Sequence, residues 1–209
     1  EDGIRDLVRS RGLGDVYKRQ LTNRLIYGFC FHPKFTENGF VYLHTSGPRR
    51  GEGVKNKNCR VSRWAMDRRT LKIDPSSRLN IIQWDSNGHD GGGVVFGNDD
   101  MLYITTGDGT SDSDVNVTGQ RIDLLLSKVL RIDVDRPRGK VPYSIPPDNP
   151  FIKTPNARPE TWAHGFRNPW RITADRKTGH IWVGENGQDL WESVKWLERG
   201  ANYGWSKYE

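Results

Sequence analysis

From Leu25 onward the chain is a succession of short apolar runs broken by clusters of glycine, asparagine and aspartate. Runs of this length, alternating or continuous over a few residues, predict strands rather than helices. One unit recurs along the chain. Its first copy is the run 27–35, the turn Asn38-Gly39 and the run 40–45. The second is Val94-Val95-Phe96, the turn Gly97-Asn98-Asp99-Asp100 and Met101-Leu102-Tyr103-Ile104. The third is the run 170–175, the turn Lys177-Thr178-Gly179 and the run 180–187. Each copy reads strand, polar turn, strand, glycine-rich exit. Further strands are predicted over 60–64, 79–84 and 128–134. Copies spaced 65 and 78 residues apart, with extra strands between them, fit the blades of a β-propeller carrying long loops. A sandwich would supply short strands without the repeated hairpin. The loops at 107–123 and 136–160 are longer than a compact domain usually carries, which makes them candidate functional surface.

Composition agrees with an all-β protein: 23 glycines and 8 tryptophans in 209 residues, with 34% hydrophobic. No run approaches the ~18 apolar residues of a membrane span, and no signal-peptide core is visible. The net charge of +6 permits acidic partners, yet the basic residues are scattered among 26 acids. The densest basic cluster, Arg49-Arg50 to Lys55 and Lys57, reads as a solvated loop, and no nucleic-acid motif appears. Cys30 and Cys59 make no disulfide framework and no Cys-x-x-Cys motif. Residues 1–20 mix nine charges with Ser-Arg-Gly-Leu-Gly and show no strand alternation. They are expected to be foreign to the domain, which is taken as 21–209, and the chain is expected to be cut at both ends.

Candidate chemistry gathers where the hairpins open. A hairpin folded about 98–99 pairs positions whose numbers sum to about 197 or 198, which sets His89 beside Asp108. A carboxylate beside an imidazole fixes its tautomer and raises its basicity, as a general base requires. The same pair also suits a histidine merely satisfied by a loop carboxylate. The third hairpin, folded about 177–178, sets Arg167-Asn168-Pro169 against Asn186-Gly187-Gln188. Equivalent ends of successive blades face one rim of a propeller's channel, so His89, Asp108, Arg167, Asn168 and Asn186 are expected to converge.

Four segments resemble the soluble, pyrroloquinoline-quinone (PQQ)-dependent sugar dehydrogenases, the glucose/sorbosone dehydrogenase family. They are Tyr27-Gly28-Phe29-Cys30-Phe31-His32-Pro33; His89-Asp90-Gly91-Gly92 through Gly107-Asp108-Gly109; Lys128-Val129-Leu130-Arg131-Ile132-Asp133 with Ile145-Pro146-Pro147-Asp148-Asn149-Pro150-Phe151; and His164-Gly165-Phe166-Arg167-Asn168-Pro169-Trp170 with Gly200-Ala201-Asn202-Tyr203-Gly204-Trp205. The resemblance spans about 25–206. It implies about half of a six-bladed β-propeller, from an enzyme that oxidises the C1 hydroxyl of an aldose to a lactone. Hydride would pass to PQQ, and the electrons then to an external acceptor such as a dye, quinone or cytochrome.

By position, the resemblance makes His89 the general base, Asp108 its orienting partner and Arg167 the cation beside the quinone carbonyl. Asn168 and Asn186 fall at cofactor-contacting positions, Asn186 in place of a glutamine. The carbonyls of Gly187 and Gln188 match those that hold a cofactor-bridging calcium, and Glu192 and Tyr203 resemble a second calcium site. Trp170 replaces a cofactor-contacting glutamine and either stacks near the cofactor or caps its hairpin. Asn23, where a substrate-side glutamine would fall, is assigned nothing. The family's clamp on the cofactor carboxylates comes from later blades, so the chain alone is expected to be inactive and poorly stable. Family resemblance also implies a periplasmic or secreted location. The rival class is a non-catalytic propeller that binds protein or carbohydrate, like Hedgehog-interacting proteins.

Other residues read as structural. His32 is expected in a turn, and His44, His164 and His180 in core or surface roles. Asp112, Asp114 and Asp123 are expected to be loop acids, and Trp64, Trp84, Trp162 and Trp182 blade-packing aromatics. Asn116-Val117-Thr118 is a formal glycosylation sequon.

Overall fold

A computed structural model describes residues 24–48 and 57–208. Among them lie eleven strands in three antiparallel sheets. The first sheet is a meander of β1 (Leu25–Phe31), β2 (Phe40–Pro48), β3 (Lys57–Ala65) and β4 (Leu79–Ser86). The second repeats it with β5 (Val94–Phe96), β6 (Leu102–Thr106), β7 (Lys128–Ile132) and β8 (Thr161–His164). The third has β9 (Asn168–Ala174), β10 (Ile181–Asn186) and β11 (Glu192–Trp196). The only helices among the described residues are single turns at Phe35–Asn38 and Pro75–Ser77.

Each recurring hairpin opens one sheet, and the first strands β1, β5 and β9 lie side by side, β5 in contact with both others. That is the arrangement of successive propeller blades around a channel. Where β1 meets the second sheet the backbones almost touch: a Cβ on Gly28 would overlap the Gly92 carbonyl. β8 and β11 went unpredicted, and the strand expected over 128–134 ends at Ile132. The segment 1–20, Asn23 and the basic cluster at 49–55 lie outside the described residues.

The core sits between the sheets. Tyr42, Val61, Ile82 and Trp84 of the first pack against Val94, Phe96, Leu102, Ile104, Leu130 and Ile132 of the second. Tyr103, Val129 and Ala163 of the second pack against Ile181, Val183 and Leu197 beside the third. The second sheet is thus covered on both faces, which is why every residue of β6 and β7 is buried, the charged Lys128 and Arg131 included, with no alternation of buried and exposed positions. Of the tryptophans expected to pack between blades, Trp64 and Trp84 are buried. Trp182 instead lies on the outer face of β10, 39% exposed, because its strand buries the alternate positions 181, 183 and 185.

Two polar networks fix the hairpin that carries the site. At its turn, Asp99 accepts from the Met101 amide, the Tyr103 hydroxyl and the Arg131 guanidinium. At its root, Asp90 is buried and accepts from Ser46 Oγ at 2.7 Å and Ser86 Oγ at 2.5 Å, with Lys57 Nζ at 3.8 Å. Asp90 therefore ties the chain just after His89 to three strands of the first sheet.

Candidate active site

The second hairpin pairs Val94 with Ile104, Val95 with Tyr103 and Phe96 with Leu102, the register its turn predicts. Continued to the open end, that register brings His89 Nδ1 to 2.9 Å from Asp108 Oδ1. The two sides approach closely there, and a Cβ at Gly107 would overlap the His89 carbonyl. Asp108 is fully buried. Its Oδ1 also accepts from the Thr110 amide and hydroxyl, each at 2.9 Å, and its Oδ2 from Trp205 Nε1 at 2.9 Å. A carboxylate that receives donors on both oxygens accepts and does not donate, which assigns the shared proton to His89 Nδ1. The lone pair is then on Nε2, which makes no hydrogen bond among the described residues. His89 is 14% exposed, so the imidazole has an outlet.

The third hairpin keeps its expected register from Ala174–Ile181 to Arg171–Gly184. A bulge then shifts it by one, so that Asn168 lies opposite Asn186. The Arg167 amide donates to the buried Glu185 carboxylate at 2.5 Å, and Lys195 Nζ stands 3.3 Å from that carboxylate. Burial pushes the Glu185 carboxyl above the usual carboxylate range, against the pull of Lys195. The Arg167 guanidinium gives Nη1 to the Gly187 carbonyl at 2.8 Å and Nη2 to the Asp112 carbonyl at 3.3 Å. Its Nε is buried without a partner among the described residues. The Arg167 carbonyl accepts from the Asp108 amide at 2.8 Å, which joins the two hairpin ends directly. Asn168 Oδ1 accepts from the Gly91 amide at 3.1 Å, a second link between the histidine loop and β9.

The structure therefore brings His89, Asp108, Arg167 and Asn168 into one connected group. Asn186 lies beside it with its amide on Glu192 Oε2 at 2.6 Å. Gly187 joins through Arg167, whereas the Gln188 side chain turns to Asp189. Glu192 and Tyr203 are not joined: the Tyr203 hydroxyl bonds the Trp196 carbonyl and the Glu198 amide. Trp170 packs against Tyr27 of β1, ring centroids 4.9 Å apart and planes tilted by 56°, with the Arg171 guanidinium over its ring.

Sequence reasoning missed Asp90, Thr110, Glu185 and Trp205. Thr110 follows Asp108 at the spacing of an Asx turn, a local signal. Trp205 lies 97 residues from Asp108 and carries no local signal.

The glucose/sorbosone dehydrogenase family model matches residues 13–209, and the chain belongs to this family of sugar dehydrogenases. The match includes residues 13–20 of the segment expected to be foreign. The HIPL2 protein of Arabidopsis thaliana is 32% identical over 87% of this chain and 32% of its own length. Human Hedgehog-interacting protein is 33% identical over 73% of the chain and 23% of its own length. The aldose sugar dehydrogenase YliI of Escherichia coli is 33% identical over 56% of the chain and 29% of its own length. The chain thus spans about a third or less of these relatives. A crystal structure of glucose dehydrogenase superposes with a TM-score of 0.71 at 27% identity, covering 86% of this chain and 49% of that one. The apo-form E. coli aldose sugar dehydrogenase, at 24% identity and a TM-score of 0.69, shares the fold. Three consecutive blades and half coverage identify the architecture as part of a six-bladed propeller. Among the described residues no helix is long and apolar enough to cross a membrane.

Proposed function

We propose that the site oxidises the C1 hydroxyl of an aldose to a lactone, with PQQ as hydride acceptor, in the full-length protein from which these blades come. The single observation that carries this reading is the His89–Asp108 pair: Nδ1 is held by a buried carboxylate and Nε2 is left for a substrate. In that tautomer Nε2 accepts the sugar hydroxyl proton, and Asp108 orients the ring and stabilises the imidazolium that forms.

The residues present fit an acceptor bearing carbonyl and carboxylate oxygens. Arg167 offers a buried guanidinium whose Nε has no partner, a donor without an acceptor until a ligand supplies one. When bound, PQQ supplies the two-electron acceptor that the side chains lack. Arg167 and Asn168 would orient it, and the fixed cation favours negative charge developing on a bound carbonyl. Asn186 supports that position from β10. Calcium fits less well on these residues alone. Among the described residues no three His, Cys, Asp or Glu side chains form a metal cluster. The Gly187 carbonyl already accepts from Arg167, and calcium takes about six to eight oxygens. The Gly187 and Gln188 carbonyls would hold it only together with further oxygens, and the Glu192 and Tyr203 side chains have no hydrogen-bond partner in common among the described residues. The proton and cation chemistry above does not depend on the metal.

The reading places the protein in the periplasm or outside the cell, with its electrons delivered to an external acceptor. The second reading, a propeller that binds a protein or carbohydrate without turnover, is favoured by the identity to HIPL2 and to human Hedgehog-interacting protein. The two separate on reconstitution of the full-length protein with PQQ, with and without calcium, followed by dye reduction with aldoses. Sugar-dependent reduction that His89→Ala lowers by about 10²- to 10⁴-fold is expected. Failure to bind the quinone under saturating calcium would sink the enzyme reading, and full activity in His89→Ala would sink the base assignment.

A further inference from the structure

We infer that Trp205 is the positioning residue that couples the His89–Asp108 pair to Arg167. The inference rests on the function proposed above for that site. The Trp205 side chain touches both halves of the site. Its indole Nε1 donates to Asp108 Oδ2 at 2.9 Å in a buried setting. Its ring lies under the Arg167 guanidinium, whose carbon is 5.5 Å from the ring centroid. Among the described residues, no other side chain both hydrogen-bonds the Asp108 carboxylate and meets the Arg167 guanidinium in a hydrogen bond or cation–π contact.

The segment that delivers Trp205 is fixed at several points. The Trp205 amide donates to the Gly165 carbonyl at 3.0 Å, and its carbonyl accepts from Gln120 Nε2 at 2.7 Å. Ser206 bonds Asp114, which also caps the Thr118 and Gly119 amides. Asn202 forms a parallel bridge with His164 at the end of β8. The 202–206 turn is thereby clamped onto the long loop after Asp108, and the indole has little room to swing. Only 8% of the residue is exposed.

The chemical consequence follows from charge. Asp108 stabilises a protonated His89 in proportion to the negative charge it keeps for Nδ1. An indole N–H on the other oxygen draws off part of that charge, so Trp205 tempers the basicity that Asp108 confers. The same ring, offering its π face to Arg167, holds the guanidinium at a fixed distance from the pair. Trp205 thus sets how strongly the base holds its proton and where the cation stands relative to it.

Trp205→Phe in the full-length protein keeps a ring under Arg167 and removes the donor. The acid limb of its kcat–pH profile should move to higher pH by about half a unit. At pH values below that limb kcat should fall about threefold, with the sugar KM within about twofold. Without cofactor, the ¹⁵N resonances of the His89 ring should show Nδ1 protonated, and their titration should shift the same way in Trp205→Phe. A wild-type pH profile and wild-type His89 titration in a folded Trp205→Phe would overturn the proposal and leave the indole a packing group. If Trp205→Phe does not fold, the wild-type protein still decides. The Trp205 indole N–H resonance should move over the same pH range as the His89 ring nitrogens, and an indole resonance blind to that titration would overturn the coupling. Absence of quinone-linked activity would defeat the proposed function alone, because the cofactor-free titrations test Trp205 independently.

Discussion

The described residues hold two histidine–aspartate pairs with the same N···O separation and opposite prospects. His32 Nε2 lies 2.9 Å from Asp135 Oδ1, and His89 Nδ1 lies 2.9 Å from Asp108 Oδ1. At His32 the second nitrogen is used as well: Nδ1 accepts from the Lys34 amide at 3.0 Å and meets Asn38 Nδ2 at 2.9 Å. His32 is buried against Phe40, Tyr42 and Phe96, and its aspartate is 46% exposed. It staples the first hairpin turn to the chain beyond β7. At His89 the exposures are reversed, with the carboxylate fully buried and the imidazole reaching an opening. Proximity of an acid and an imidazole says little about chemistry. A spare ring nitrogen on a partly exposed imidazole, backed by a buried carboxylate with donors on both oxygens, is what distinguishes a base from a staple.

The sharpest way to break this contrast is Asp108→Asn. A carboxamide presents one donor and one acceptor where Asp108 presents two acceptors, so one of its oxygens' three neighbours, Thr110, Trp205 or His89, would meet an N–H. Either the indole loses its acceptor or the imidazole is driven to the other tautomer, with the proton on Nε2. In the full-length, quinone-loaded protein kcat should fall on the order of 10²-fold or more, while dye-linked assays at rising pH fail to recover it. Near-normal turnover would show that Asp108 does not act through the tautomer.

A third histidine extends the comparison to a ring with no acid hydrogen-bonded to it among the described residues. His44 on β2 is wholly buried, edge-on to Trp84, and burial pushes its pKa from 6.5 down to about 4. Asp90 offsets that push only in part. Because the folded value is the lower one, the unfolded chain binds the extra proton between pH 6.5 and about 4, and stability is lost as pH falls through that window. The loss amounts to at most about 3 kcal/mol. Urea melts at pH 7 and pH 4.5 should show it, and His44→Leu should flatten the difference. An equally steep acid loss in that variant would place the proton uptake elsewhere.

Legibility followed the range of the interactions. The His89–Asp108 pair was visible because both residues belong to one hairpin, whose turn residues set the register. That Arg167-Asn168-Pro169 faces Asn186-Gly187-Gln188 was visible on the same grounds, but the exact pairing of Asn168 with Asn186 was not, because it needs the bulge at Gly184–Glu185. The blade repeat was visible because each first hairpin has the same punctuation. β8 was not, since Thr161–His164 follows a long loop and pairs backwards onto β7 rather than across a tight turn. β11 was hidden differently: its apolar residues Val194 and Trp196 are exposed, so its pattern does not mark a buried face. Trp205 reaches Asp108 only because β9 to β11 return the chain to the second blade, a closure no local pattern encodes. The His32–Asp135 staple, 103 residues apart in sequence, was missed for the same reason, and His32 read as a turn residue alone.

Asp135→Asn probes the staple and has the smallest expected effect. The carboxylate is half in solvent, and its bond to His32 Nε2 is a single acceptor interaction that a carboxamide oxygen can reproduce. Exchanging a charged acceptor for a neutral one in a single hydrogen bond costs about 1 kcal/mol, which in a domain of this size corresponds to a Tm lower by about 2–4 °C. Turnover should stay at the wild-type value, because His32 has no free nitrogen and lies beneath the first hairpin turn rather than at the open end of the second. Thermal melts and dye-linked rates on the same full-length preparation measure both quantities. A drop in kcat on the order of tenfold at unchanged Tm would mean that the second pair also handles protons, and the distinction between base and staple would then rest on something other than the spare nitrogen.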